Sequence, residues 1–347
     1  MGQRRKAWAV TVAAILLTAF VFGCAPASAQ TRYPALGDHQ PGVTTSSFVP
    51  ASDCSRTSVG LTPLNDLAGG AYQGFEAGLY LGGNNYPPLD YRWMGWAHSG
   101  AVQPLDPNGQ PNANGRIVLL SIGMSNTTQE FSTFKSMADA DPEKNPQLTI
   151  VDGAQGGQDA QIIRSPNAQF WTIIDQRLAA AGVSPGQVQT AWLKQAIAGE
   201  NRPFPADALG LRDALRDIVA IMQSRYPNLR IIYFSSRTYA GYATTALSPE
   251  PYAFQGGFAV KWLIDEHINS GGDGAWLAWG PYLWADGLVP RSDGLTWLCS
   301  DFQNDGTHPS ITGRQKVGSL LLNFFKTDET ARPWFVRSIG SVRRRKP

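Results

Sequence analysis

The sequence is short of charge, of cysteine and of histidine. Charged residues are 16% of the 347 positions, the formal net charge is +2, and there are three cysteines and four histidines. With 43% hydrophobic residues and so little net charge, the composition excludes a disordered chain. Glycine (36) and proline (24) are above average usage, but they follow no collagen-like period, which excludes a fibrous chain. They point instead to long ordered loops around a core, and this length can bury one large core or two small ones.

Long hydrophobic runs are also scarce. The one such run, Ala7 to Gly23, follows Arg4, Arg5 and Lys6 and is followed by Ala27-Ser28-Ala29. That is the pattern of a secretory signal over residues 1–29, with the mature chain starting at Gln30. A membrane anchor is the alternative, because about 17 apolar residues is near the lower limit for spanning; the small residues directly after the run favour cleavage. Cys24 after Val21-Phe22-Gly23 also resembles a lipidation site, for which Phe22 is bulky. A secreted or periplasmic location is expected, with a lipid anchor at Cys24 as the alternative and no stable span in the mature form.

The two ends carry the positive charge: three basic residues in 1–29, and four more at Arg343, Arg344, Arg345 and Lys346. Between them the body is net acidic and has no basic patch, so nucleic acid is not an expected partner. Cys54 and Cys299 remain after Cys24 is removed. In an exported chain two cysteines predict one disulfide, against the alternative of two free thiols. Without nearby histidines they make a poor zinc site.

Four segments emerge: the signal (1–29), an irregular segment (30–114), a regular domain (115–330) and a basic tail (331–347). Residues 30–114 show no sustained helical period and are broken by Gly82-Gly83-Asn84-Asn85, Pro87-Pro88 and Asp106-Pro107-Asn108-Gly109. Their aromatics, Tyr72, Phe75, Tyr80, Tyr86, Trp93 and Trp96, call for burial against the main domain. From Arg116 strand and helix alternate. Ile117–Ile122, Leu148–Val151, Val188–Leu193, Leu229–Phe234 and Trp276–Trp279 read as strands. Helical patterns fill Thr127–Ala138, a stretch from Pro166 to Gly182, the region of Leu211–Met222, part of Tyr252–Ile268, and Ser310–Phe325. Alternation of this kind predicts a mostly parallel sheet covered on both faces, with any site at the carboxyl ends of the strands.

Two strand-end positions carry chemistry. Ser125 sits in Gly123-Met124-Ser125-Asn126-Thr127, where a turn from strand to helix exposes a hydroxyl beside a helix N-terminus. A helix cap is the plain alternative for a serine there. The α/β-hydrolase elbow wants Gly-x-Ser-x-Gly, and Thr127 occupies the second glycine position. Near the other end, Asp305-Gly306-Thr307-His308-Pro309 offers a base and an acid to orient it, three residues apart; a polar turn is the alternative. Of the other histidines, His39 lies in the N-terminal arm, His98 in a glycine-rich loop and His267 in a helical stretch. Only His308 has an adjacent acid in a strand-end loop.

Together, Gly-x-Ser after the first strand, a glycine-rich loop after the second and Asp-x-x-His-Pro before the last helix resemble the SGNH (GDSL-type) hydrolases. The resemblance covers about residues 116–326 and implies a flavodoxin-like three-layer α/β/α sandwich with a mostly parallel five-stranded sheet. It also implies Ser125 as nucleophile, His308 as general base and then acid, Asp305 as its orienter, and no metal or organic cofactor. Val151-Asp152-Gly153-Ala154-Gln155-Gly156-Gly157 resembles the loop whose glycine donates a backbone N–H to the oxyanion. Gly157 is the implied donor beside Ser125, with Gly156 as the alternative. Two departures stand out: Met124 replaces the aspartate of Gly-Asp-Ser, and Trp192-Leu193-Lys194-Gln195 replaces Gly-x-Asn-Asp. Gln195 is then the expected amide donor, or Lys194 a cationic one.

Trp276, Trp279, Tyr282, Trp284 and Trp297 crowd the stretch before Asp305, either as an apolar or sugar-stacking wall or as core. The resulting expectation is a secreted serine esterase acting on a small-molecule or carbohydrate ester, acetylated or carrying a short acyl chain. An α/β-hydrolase-type lipase and a catalytically silent glycan- or surface-binding protein are the rivals.

Overall fold

The computed structural model describes residues 51–337. The expected signal over 1–29, Cys24, and the basic cluster Arg343–Lys346 lie outside them. A short hairpin, β1 (Ala71–Tyr72) and β2 (Phe75–Glu76), leads to α1 (Leu89–Gly100). Then come β3 (Ile117–Gly123), α2 (Ser125–Ala140), β4 (Leu148–Asp152), α3 (Ala160–Ile163), α4 (Gln169–Ala180) and β5 (Val188–Lys194). The chain continues with α5 (Ala206–Arg225), β6 (Ile231–Phe234), α6 (Tyr252–Asn269), β7 (Trp276–Trp279), α7 (Ile311–Thr327) and α8 (Arg332–Phe335).

The five long strands form one sheet in the order β4-β3-β5-β6-β7, and every pairing is parallel. Leu119 stands beside Ile150 on one side and Thr190 on the other, and Thr190 beside Ile231. Right-handed crossovers put α2 on one face and α4, α5 and α6 on the other, and α7, after the last strand, packs beside α2. The sheet is covered on both faces as the alternation predicted, in the three-layer α/β/α sandwich that the resemblance implied. β3, β5, β6 and β7 are buried along their whole length, because both faces carry helices.

β7 is an edge strand, and its exposed ladder is closed by two tyrosines from the preceding segment. The Tyr91 hydroxyl accepts from Leu277 N at 3.1 Å and donates to Leu277 O at 2.9 Å, while the Tyr80 hydroxyl accepts from Trp279 N at 3.1 Å. An uncovered edge invites pairing with another chain; here side-chain hydroxyls take the place of a sixth strand.

The segment before residue 114 departs from its expected irregularity. Its α1 escapes the periodicity reading because the buried positions, Tyr91, Gly95 and Ser99, are four apart but mostly small. Gly95 is small for a reason: a Cβ there would lie 2.5 Å from the Trp276 indole. Burial of the aromatics is likewise partial. Tyr80 is buried, but Trp93 is 61% and Tyr86 76% exposed. Tyr252–Asn269 is helical throughout, not in part.

Cys54 and Cys299 form a disulfide with Cα atoms 5.4 Å apart. It joins the start of the described chain to the 3₁₀ turn Cys299–Asp301, across a separation of 245 residues. No helix among the described residues is long and apolar enough to cross a membrane. Closing so long a loop restricts the unfolded chain, so a Cys54→Ser/Cys299→Ser variant is expected to lose about 2–5 kcal/mol of unfolding free energy. Chemical denaturation at neutral pH checks this, and a midpoint equal to that of the wild type refutes it.

Candidate active site

The crevice forms where the sheet order reverses, between β3 and β5, at the carboxyl ends of the strands. At the end of β3 the backbone passes very close to its neighbours. A Cβ on Gly123 would lie 2.3 Å from Thr127 Oγ1 and 2.4 Å from the Lys194 carbonyl oxygen, so only glycine lets the strand turn there. Thr127 Oγ1 donates to that same carbonyl at 2.8 Å and pins the turn to β5. Met124 occupies the cap position of α2 and makes no side-chain cap bond. Ser125 is therefore not spent on capping, and its Oγ lies 2.8 Å from His308 Nε2.

The loop before α7 sets the histidine. Asp305 Oδ2 lies 2.5 Å from His308 Nδ1, and Asp305 Oδ1 accepts the backbone N–H groups of Thr307 and His308, both at 2.9 Å. A carboxylate facing Nδ1 assigns the ring proton to that nitrogen and leaves Nε2 as acceptor for the serine hydroxyl. Burial pushes the Asp305 pKa up, but the hydrogen bonds from the His308 ring and the two amides outweigh it and hold the group at about 2. Gly306 closes this turn at φ +63°, where a Cβ would come within 2.0 Å of the Tyr242 carbonyl oxygen.

The third element is the loop after β4. Asp152 gathers it against α2: Oδ1 accepts from Ser121 Oγ at 2.6 Å and Ala154 N at 3.1 Å, and Oδ2 from Thr128 Oγ1 at 2.5 Å and Ser132 Oγ at 2.7 Å. Gly157 follows with φ +72° and open space where a Cβ would be. Neither Gly156 N–H nor Gly157 N–H donates to another described residue. Ser125, Asn126, Gly157, Arg237, Leu247 and His308 are among the residues lining a cavity of about 210 Å³. The arrangement joins a hydroxyl, a ring nitrogen to take its proton, a carboxylate to steady the ring, and helix N-terminal amides toward which negative charge can develop.

Gln195 and Lys194 stand elsewhere. Gln195 Nε2 donates to the Gln158 carbonyl at 2.8 Å, and its Oε1 accepts from Ala196 N. Lys194 Nζ lies 2.6 and 2.5 Å from the two oxygens of Glu130, with both side chains buried. Burial pushes the lysine pKa down, and Glu130 acts against that shift. Both donors expected from the third block are thus committed to the interior. Trp276, Trp279, Tyr282, Trp284 and Trp297 are buried too, and none lines the cavity at Ser125. They are core and not a wall.

Two neighbours of the serine escaped sequence reasoning. Asn126 Nδ2 donates to the Thr307 carbonyl at 2.7 Å, which ties the start of α2 to the residue before His308. Arg237, three residues after the end of β6, is buried and lines the cavity. Its place just beyond a parallel strand was the signal available.

No protein-family model matches the chain, and no curated protein does. Among solved structures it is similar to a putative acylhydrolase from Bacteroides fragilis, at 11% identity and TM-score 0.39, over 68% of this chain and 94% of that one. It is similar to an acetylxylan esterase from Geobacillus stearothermophilus, solved as a catalytic mutant, at 14% identity and TM-score 0.36, over 64% and 97%. A carbohydrate esterase family 3 protein from Talaromyces cellulolyticus is similar at 13% identity and TM-score 0.36, over 60% and 95%. At these values the chemistry rests on the geometry of the chain itself.

The depressed Asp305 pKa carries a stability consequence. A carboxyl whose folded pKa lies below its ordinary value stabilises the fold above that value, and the contribution disappears as pH falls through the folded one. Asp305→Asn is expected to cost about 2 kcal/mol at pH 7, with the gap to wild type narrowing between pH 3.8 and about 2. Denaturation series at several pH values test this, and a pH-independent gap contradicts it. The buried pair gives a second expectation: Lys194→Met strands Glu130 and costs about 3–5 kcal/mol, much of which returns in Lys194→Met/Glu130→Leu. A double-mutant cycle in denaturant measures it, and additive losses rule out the coupling.

Proposed function

We propose that this chain is a secreted serine esterase of the SGNH type, with the first 29 residues removed on export. The observation that carries the reading is the unbroken hydrogen-bonded series from Ser125 Oγ through the His308 ring to Asp305. Ser125 Oγ attacks the ester carbonyl carbon while its proton passes to His308 Nε2, and Asp305 stabilises the imidazolium and fixes its orientation. The carbonyl oxygen becomes an oxyanion and is received by the N–H groups of Ser125 and Gly157. Collapse breaks the bond to the alcohol oxygen, which leaves with the proton from His308. Water then attacks the acyl-enzyme, again giving its proton to His308, and releases the acid and the free serine.

The substrate proposed is a carboxylic ester with a small acyl group, on a small molecule or a carbohydrate. The cavity of about 210 Å³ supports this, since pockets for drug-sized ligands are ≈ 300–1,000 Å³. The direct bond of Asp305 to His308 speaks for the orienter being three residues away, in contrast to the α/β-hydrolase rival, which needs an acid on an earlier loop.

A fluorophosphonate probe is expected to label wild-type protein at Ser125 and to leave Ser125→Ala unlabelled. On a panel of p-nitrophenyl acyl esters, Ser125→Ala and His308→Ala should each lose on the order of 10⁶ in kcat. Equal hydrolysis above the buffer rate by all three proteins sinks the proposed mechanism, and absence of labelling with no hydrolysis above that rate leaves the silent binding protein.

A further inference from the structure

The cavity at Ser125 contains a cation that no carboxylate among the described residues neutralises by direct contact. Arg237 is 3% exposed, and its one hydrogen bond to a described residue is a long one, from Nη1 to Asn126 Oδ1 at 3.4 Å. Its Nε is buried and has no partner among the described residues. A guanidinium offers five N–H donors in a planar fork, and taking such an ion out of water costs several kcal/mol unless something compensates.

The acids whose charge reaches Arg237 are Glu130, Glu250 and Asp305, and each is engaged elsewhere. Lys194 holds both oxygens of Glu130. Glu250 accepts from Ala240 N, Trp284 Nε1 and Phe254 N. Asp305 accepts from the His308 ring and two amides. Asp159, which also lines the cavity, has one oxygen on Ile162 N and the other on Ala198 N. Burial pushes the Arg237 pKa down, which marks an incompletely compensated charge. The N-terminus of the 16-residue helix α2 opens on the same cavity and adds partial positive charge.

We infer that Arg237 is a specificity-determining residue that receives an anionic substituent of the substrate, so that the preferred esters carry a carboxylate close to the scissile bond. A carboxylate matches the guanidinium fork and gives it the direct hydrogen-bonding partner that none of these acids provides. The carboxylate can come from the acyl side or the alcohol side of the ester, and both present the same chemistry to Arg237. The inference rests on the esterase reading for the reaction, though not for binding.

Two isosteric pairs test it on the full chain, with product acids followed by NMR. Monoethyl succinate against ethyl levulinate places the carboxylate on the acyl side. Acetoxyacetate against acetoxyacetone places it on the alcohol side. At least one anionic ester is expected to exceed its neutral partner tenfold or more in kcat/KM, chiefly through KM. That ratio should fall close to one in Arg237→Gln and be partly kept in Arg237→Lys. Neutral esters matching or beating their anionic partners in both pairs overturns the inference. So does a Gln variant that slows both members of a pair equally, because the residue then serves the fold or the oxyanion. If Arg237→Gln does not fold, the wild-type ratios and the Lys variant decide. Binding of the same four compounds to Ser125→Ala, titrated by NMR, separates the two readings. Anion-selective binding without hydrolysis by wild type overturns the esterase and keeps the subsite, whereas hydrolysis with no anion selectivity does the reverse.

Discussion

Everything at the site depends on one junction, the contact between the first turn of α2 and the turn before α7. Ser125 and His308 are 183 residues apart, so their 2.8 Å separation is set by packing and not by local chain geometry. Asn126 Nδ2 on the Thr307 carbonyl fastens the two turns directly. Behind it the helices close on each other: Phe134 and Phe325 rings lie 5.2 Å apart, and Gly318 meets the Phe134 backbone so closely that a Cβ would stand 3.3 Å from its nitrogen. The loop entering α7 is held from the far side by the Cys54–Cys299 bond and by Lys316, which pairs with Asp301. A buried junction with hydrogen bonds satisfied on both sides has few alternative arrangements, and that gives the serine and the ring one relative position.

This explains which parts of the molecule were legible in the sequence. The strands read correctly because burial on both faces leaves short apolar runs such as Ile117–Leu120, and the five-stranded parallel sheet follows from their alternation with helices. Ser125, Asp305 and His308 stood out because each lies in a short motif whose geometry is local. What failed was long-range. Lys194 and Gln195 looked like available donors because nothing near them in sequence reveals Glu130, 64 residues away, or the Gln158 carbonyl. The tryptophans before Asp305 were ambiguous because an indole buries its rings and finds an acceptor equally well in a core. Trp276 Nε1 donates to Tyr91 O and Trp297 Nε1 to Leu283 O. α1 was missed because its inward face is built from Gly95 and Ser99, which carry no hydrophobic period.

The buried Lys194–Glu130 pair also changes how the third-block departure should be understood. Replacing an asparagine by Gln195 looked like a substitution of one amide donor for another. In the structure Lys194 is held in an internal ion pair with Glu130, and a polar group that reaches the cavity comes from beyond the next strand, at Arg237. The two cations at the ends of β5 and β6 therefore have opposite fates. One is neutralised inside the protein, and the other keeps its charge toward the cavity.

That charge is opposite in sign to the net charge of the body between the two basic ends, which is acidic although the whole chain is +2. Beyond a Debye length of ≈ 8 Å at physiological ionic strength, the net negative surface is largely screened, so an approaching anion meets Arg237 and the α2 N-terminus only once it is inside the cavity. Recognition is then a short-range matter of desolvated hydrogen bonds, not of steering, and added salt should affect it weakly. A single cation inside an acidic body also discriminates by size: a small carboxylate can reach Arg237 and leave the repulsive surface behind, whereas a polyanion keeps most of its charge outside. The same burial that makes Arg237 costly to the fold is what restricts its partner to a single compact anion.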